Sequence, residues 1–340
     1  MKGFKFLLIF SIIFSITSVD AKFFKKKSAK EEVVVKAPPL PPLKGPKKLL
    51  AVNSFENKVE APRGAWWNHT KLGTGMSDML VTSLMDTNYF IVLERESLED
   101  GILKEQDLAA SGRTTKKGGA QIGKVLRAQI LIKGAVTVFA EGTKGGSKGG
   151  KINFKGISLG LGGGGGESQV GVDIRVFDTT TGQILAAKTC KGIAKSKKRG
   201  ISLGLSGTSG GSPGSMSFGG EKMEKSPLGD ATRSAITECT NFIILEMNKV
   251  PWSGKIMKVT DGGKIYINSG KRNNTNIGDS YSVFELGEAF EDPDTGEMLG
   301  SEETLLGKLK VVTVKEKYAI CAVDSGSGFG KANIIRWNEA

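Results

Sequence analysis

The sequence predicts an α+β protein: an α/β sandwich domain carrying two glycine-rich β-hairpins, followed by a small C-terminal β-barrel. Three observations carry this expectation. Helical and strand periodicities alternate between residues 48 and 250. That region is interrupted by two Gly/Ser-rich stretches, each introduced by the same hexapeptide, "GISLGL", at Gly156–Leu161 and at Gly200–Leu205. From Trp252 to the end, short strand patterns alternate with turns.

The N-terminus predicts export. "MKGFKFLLIFSIIFSITSVDAKFF" sets Lys2 and Lys5 before an apolar run from Phe6 to Ile16, and small residues end at Ala21. This is the layout of a secretory signal, residues 1–21, cleaved after Val19-Asp20-Ala21. The apolar run is well short of the roughly twenty residues a spanning helix needs. Residues 22–47 are charged and carry Pro38, Pro39, Pro41 and Pro42, which favour extended polyproline II and read as a linker or arm. Cys190, Cys239 and Cys321 are far apart and odd in number, and read as buried or free thiols, with neither a disulfide framework nor metal spacing. The net charge is +13. In an exported protein that charge would meet lipid phosphates or wall polymers, or form a solvated face, and would find no nucleic acid.

Within residues 48–250, "LLAVNSF" (49–55) reads as a strand, and Met76, Met79, Leu80 and Leu84 follow helical spacing. "YFIVL" (89–93) is a strand, and "ESLEDGILKEQ" (96–106) a helix with Leu98, Ile102 and Leu103 on its apolar face. "AQIGKVLRA" (120–128) reads as a further helix and "QILIKGAVTVFA" (129–140) as a strand. A long helix over 229–250, with Asp230 as its N-cap, closes the domain. The C-terminal region, 251–340, reads as short strands "KIYIN", "SYSVFEL", "GKLKVVTV" and "YAICAV" between Gly/Asn/Asp turns.

The glycines do not read as a phosphate cradle. Gly160, Gly162 and Gly165 fit G-x-G-x-x-G, and Gly145 with Gly150-Lys151 approaches a P-loop. Both motifs need a helix N-terminus straight after the glycines. Here Val170, Val172, Ile174 and Val176 form a period-2 strand instead, and Ile152 stands where a P-loop wants Ser or Thr. Ile157, Leu159 and Leu161 alternate with Ser158 and Gly160, and Ile201, Leu203 and Leu205 repeat the pattern. One apolar and one small, polar face suits a transmembrane β-strand. A soluble sheet with flexible Gly-rich loops would show the same alternation over so short a length.

Three segments carry a resemblance. "MLVTSLMDTNYFIVLERESLEDGILKEQDLAASG" (79–112), "ILIKGAVTVF" with "VGVDIRVFDTTTGQILAAKT", and "SPLGDATRSAITECTNFIILEM" come in the order of the curli-secretion channel family (CsgG/HfaB). The resemblance covers residues 48–250. It implies an outer-membrane, homo-oligomeric ring whose periplasmic α/β domains each lend two hairpins to one shared barrel, exporting polypeptide. The insertions at about 138–169 and 190–222 sit where those hairpins belong. The resemblance would then turn Ile157, Leu159, Leu161, Ile201, Leu203 and Leu205 toward lipid. It also places the family's pore constriction in the loop holding Trp66, Trp67 and Asn68, although the same tryptophans would equally pack onto their own domain.

Two features depart from the family pattern. No acylation cysteine lies near the cleavage site, and the curli channel lacks a region like 251–340. That region resembles the C-terminal SH3-like barrel of flagellar basal-body accessory proteins (FlgT-like), which implies an alternative: a soluble periplasmic accessory protein of an envelope or flagellar machine. "DPDTGE" (292–297) approaches a calcium loop but has Gly296 one place early, and reads as a turn. No catalytic constellation, metal set or cofactor motif is evident. His69 is the sole histidine and has no acidic neighbour within several residues, and Glu302-Glu303 lies in a turn-rich surface stretch.

Overall fold

The computed structural model describes residues 40–338 apart from 61–64, 66, 68, 116–118, 143–150, 155–156, 161–166, 196–222, 224, 295 and 297. The first sheet is built outward from β1 (Lys48–Val52), whose Leu50, Ala51 and Val52 are buried. β2 (Glu56–Asn57) continues the chain after a three-residue break. Helix α1 (Leu72–Thr87) follows, and returns the chain to β3 (Phe90–Leu93). β1 pairs in parallel with β3 on one side and with β4 (Ile130–Ala140) on the other. β4 is antiparallel to β7 (Glu167–Asp178), and β7 to β8 (Ile184–Lys195), which gives the order β3-β1-β4-β7-β8 with β2 beside β4. Between β4 and β7, a separate antiparallel pair joins β5 (Lys151–Phe154) to β6 (Ile157–Gly160).

Two helices lie side by side on the main sheet, α1 over β1, β3 and β4, and α3 (Pro227–Asn248) over β7 and β8. In α1 the residues spaced for a core face, Met76, Leu80 and Leu84, are fully buried. In α3 the buried positions Leu228, Ala231, Ala235, Ile236, Cys239, Ile243, Ile244 and Met247 run as one stripe with three- and four-residue steps. The stripe meets Val170, Val172, Ile174 and Val176 of β7 in one continuous core. Ser83 on α1 and Thr240 on α3 share a hydroxyl hydrogen bond of 2.8 Å where the helices touch.

Several elements differ from their sequence expectation. Residues 120–128 form no helix. Gly123 sits at φ +77° in a turn, and Ile122 is 65% exposed, so no burial offsets the poor propensity of a glycine-flanked segment. The 96–106 segment opens as a π-helical turn, Leu98–Leu103, before α2 (Lys104–Ala110). The wider turn breaks the 3.6-residue register, so Ile102 and Leu103 stay 37% exposed and Gln106 takes the buried place. The cap of α3 is Ser226, not Asp230: the Ser226 hydroxyl accepts from the Gly229 N–H at 3.0 Å, and Pro227 takes the first helical position. Asp230 lies inside the first turn, paired with Arg233.

The C-terminal region closes into a six-stranded barrel: β9 (Ser253–Val259), β10 (Ile265–Ile267), β11 (Ser280–Glu291), β12 (Met298–Val314), β13 (Ala319–Gly326) and β14 (Ile334–Asn338), ordered β10-β13-β12-β11-β14-β9. β11 and β12 are longer than the short strands expected, at 12 and 17 residues. Past the barrel wall, residues 285–291 of β11 are all exposed. Closure draws Gly307 and Gly326 together: a Cβ on Gly307 would stand 2.1 Å from the Ser325 carbonyl oxygen. The interior is apolar around Tyr281, whose ring packs edge-on against Trp252 at 5.7 Å and whose hydroxyl meets Thr275. Burial pushes the Cys321 thiol there up to about 12. Pro293 and Asp294 lie in a turn, with the Gly296 N–H donating to the Asp292 carbonyl at 2.8 Å and Gly296 at φ +70°.

Residues 40–47 strap the two regions together. Leu40 packs against the first core, while Gly45 lies flat on the Trp337 ring of the barrel. The Lys47 N–H donates to the Asn273 carbonyl at 2.7 Å, and Asn274 Nδ2 donates to the Gly45 carbonyl at 3.2 Å. Lys48 Nζ donates to the Met247 carbonyl at the end of α3, at 2.7 Å, and burial lowers its pKa to about 8.

Two outcomes are expected. Ser226→Ala should lower stability by about 1 kcal/mol and Asp230→Ala by only a few tenths, measured by urea unfolding. Lys48 binds its proton less readily folded than unfolded, so folding is penalised below pH 8 and relieved as pH rises from about 8 toward 10.5. Wild-type stability should therefore rise over that window relative to Lys48→Met.

Candidate channel loop and insertion roots

The strand registers bring three features to one end of the first sheet. Ala140, the last residue of β4, lies opposite Gln169 near the start of β7, and Glu167 opens β7 opposite Lys195, the last residue of β8. The first insertion therefore leaves from β4 and re-enters at β7 beside the point where the second leaves from β8, and the second returns to the start of α3. Polar residues line these roots: Ser168 and Gln169 are buried, and the Gly142 N–H donates to the Ser168 hydroxyl at 3.4 Å. For the first insertion, the β5–β6 register sets Ile152 opposite Leu159 and Phe154 opposite Ile157. Leu161, Ile201, Leu203 and Leu205 lie outside the described residues.

The third feature is the loop between β2 and α1. Trp67 is 6% exposed and packs edge-on against Phe139 of β4, with ring centroids 4.7 Å apart. Of the two places open to it from sequence, Trp67 takes the one inside its own domain. Trp66 and Asn68 lie outside the described residues. Around Trp67 the loop is tied by polar contacts. His69 Nε2 lies 2.5 Å from the Val59 carbonyl, Asn57 Nδ2 donates to the His69 carbonyl at 3.0 Å, and Asn57 Oδ1 accepts from the Val59 N–H at 3.0 Å. At the foot of the loop, Gly73 touches the chain before β2, where a Cβ would stand 1.9 Å from the Phe55 carbonyl oxygen. The sole histidine thus holds two strands of the loop together.

Phe139 is the residue that sequence reasoning missed. It is the penultimate residue of β4, at the root of the first insertion, and carries the Trp67 ring, so the loop and the insertion root share one contact. Strict alternation would set Phe139 on the face opposite Val136 and Val138; a β-bulge between those two valines shifts the phase and turns Phe139 inward, so the period-2 pattern carried no signal for it.

Truncating Trp67 to Ala should cost about 3–5 kcal/mol, the range for emptying a buried aromatic site. The expected reading is a fall in melting temperature, with Phe139→Ala non-additive with it because the two rings share one contact.

The model of the family described as "Curli production assembly/transport component CsgG" matches residues 35–264. No relative is found among curated proteins. The hypothetical protein CT253 from Chlamydia trachomatis is similar in structure at a TM-score of 0.34 and 10% identity, with 58% of this chain and 96% of that chain covered. A PelC dodecamer from Paraburkholderia phytofirmans is similar at 0.27 and 14%, covering 59% and 91%, and protein XCC0632 from Xanthomonas campestris at 0.31 and 10%, covering 62% and 92%. These structural likenesses are loose. The family match spans most of the chain, including the loop, both insertion roots and both helices, and on it the chain belongs to the CsgG family of curli production assembly/transport components.

Proposed function

We propose that the chain is one subunit of an oligomeric outer-membrane secretion channel or ring of the curli-secretion type, passing polypeptide out of the periplasm. The observation that carries this reading is the gathering of both glycine-rich insertions, through Ala140, Glu167 and Lys195, at one sheet end. Two hairpins issuing side by side from one rigid sheet lend four neighbouring strands to a larger barrel. One subunit cannot close such a barrel, and open sheet edges are not tolerated in hydrocarbon, so the membrane form is a homo-oligomeric ring. In it the apolar positions Ile157, Leu159, Leu161, Ile201, Leu203 and Leu205 meet lipid, and the small ones between them line a polar lumen. Trp67 anchors the loop from behind, and Trp66 and Asn68 beside it narrow the passage.

A second reading rests on the barrel. Its β11–β12 arm stands clear of the closed wall with Leu286, Phe290 and Leu305 exposed, a surface suited to holding another protein of an envelope machine. On that reading the protein is a periplasmic accessory component.

Membrane flotation of arginine variants separates the two. Leu159→Arg and Leu203→Arg should each cost roughly 2–4 kcal/mol near the bilayer midplane and abolish insertion, while Ser158→Arg inserts normally. Equal behaviour of all three, or a detergent-extracted monomer in sedimentation, counts against the channel.

A further inference from the structure

Helix α3 and strand β8 approach more closely than side chains ordinarily allow. At Gly192 a Cβ would stand 1.7 Å from the Ala231 carbonyl oxygen and 2.7 Å from the Ala235 nitrogen, so the helix backbone rests directly on the strand. From that contact the two elements run in opposite chain directions. Further along, the Lys191 N–H donates to Glu238 Oε2 at 2.7 Å. Lys188 Nζ pairs with Glu238 at 2.8 Å and lies 5.6 Å from the Phe242 ring centre. Between these fixed points, two residues from Gly192 on the strand and four from Ala235 on the helix, stand Cys190 and Cys239. Both are free thiols in this structure, fully buried in the same core, and burial first and the neighbouring Cys190 second hold the Cys239 thiol well above its ordinary value.

We infer that Cys190 and Cys239 form a disulfide in the exported protein, closing the loop that carries the second glycine-rich insertion. β8, on which Cys190 lies, ends at Lys195 where the insertion leaves, and α3, on which Cys239 lies, begins at Pro227 after the insertion returns. A covalent bridge between them fixes the base of the insertion. The oxidant is a disulfide of the compartment, such as a disulfide-bearing oxidoreductase or a small-molecule disulfide. One cysteine thiolate attacks it and expels one of its sulfurs as a thiol. The second cysteine, losing its proton, then displaces the other sulfur from the mixed disulfide. Two protons and two electrons leave the pair, and the oxidant is reduced to two thiols. Burial pushes the Cys239 thiol well up and shields both sulfurs, so the exchange belongs to folding, and the finished bond is protected.

The occurrence of the bond in cells rests on the export proposed above, and its chemistry does not. The test refolds the full chain from urea in mixed reduced and oxidised glutathione, then denatures it, alkylates with N-ethylmaleimide and measures the intact mass. One adduct, on Cys321, is expected in place of three, with a proteolytic fragment linking Cys190 to Cys239. The oxidised form should melt roughly 5–15 °C above the reduced form. Cys321→Ser should still form the link, and Cys190→Ala should leave both remaining thiols alkylated. Three adducts on the wild type, or a link through Cys321, overturns the inference. Protein trapped with N-ethylmaleimide as cells are opened separates the readings: a chain that links on refolding but carries three thiols from the cell counts against export, and leaves the pair standing.

Discussion

The contact of α3 with β7 and β8 governs the rest of this molecule. The two strands are consecutive and antiparallel, but β8 ends the sheet and has a ladder partner on one side only, so its packing against α3 adds to what one ladder supplies. The apolar stripe of α3 provides that packing, and Gly192 lets the helix settle onto the strand without an intervening side chain. Because both insertions depart from the ends of β4, β7 and β8, whatever holds β8 in register also sets the spacing of the insertion roots. A one-residue slip of β8 would turn Cys190 and Gly192 away from the helix and set charged Lys191 against it.

The same economy appears in the loop before α1. A long loop costs backbone entropy to order, and its polar groups need partners. Trp67 offsets that cost by burying its ring against Phe139, and His69 and Asn57 satisfy carbonyls on either side. The loop is thereby fixed to the very strand from which the first insertion departs. The barrel is tied in by the strap at residues 45–48, where a backbone hydrogen bond, a glycine laid on Trp337 and a partly buried lysine amine meet.

Much of this was legible in the sequence. The helices α1 and α3, the strands β1, β3, β4 and β7, and the β-rich C-terminal region all follow from apolar spacing, because a stripe of buried residues at 3.6 or 2 residues per turn leaves a direct trace. The family's order of segments was equally visible. Residues 120–128 misled because their apolar residues have helical spacing yet Ile122 and Leu126 stay exposed, and spacing alone does not report burial. The π-helical turn at Leu98–Leu103 misled for a related reason: a single wide turn changes which side chains face the core without changing composition.

What the sequence by itself determined was the layered α/β core, the position of both glycine-rich insertions along the chain and the existence of a second, β-rich region. Each rests on local periodicity or composition. Only the tertiary structure decided that Trp67 turns inward onto Phe139, that Ser226 rather than Asp230 caps α3, that the expected barrel closes in the order β10-β13-β12-β11-β14-β9, and that Cys190 and Cys239 share one core. Apart from the cap, these depend on residues far apart in sequence meeting across elements, and their partners are chosen by the register of strands and the seating of a helix. The cap depends on where the first turn actually closes. A one-dimensional pattern encodes which residues seek burial, and the packing of the whole chain selects what they are buried against.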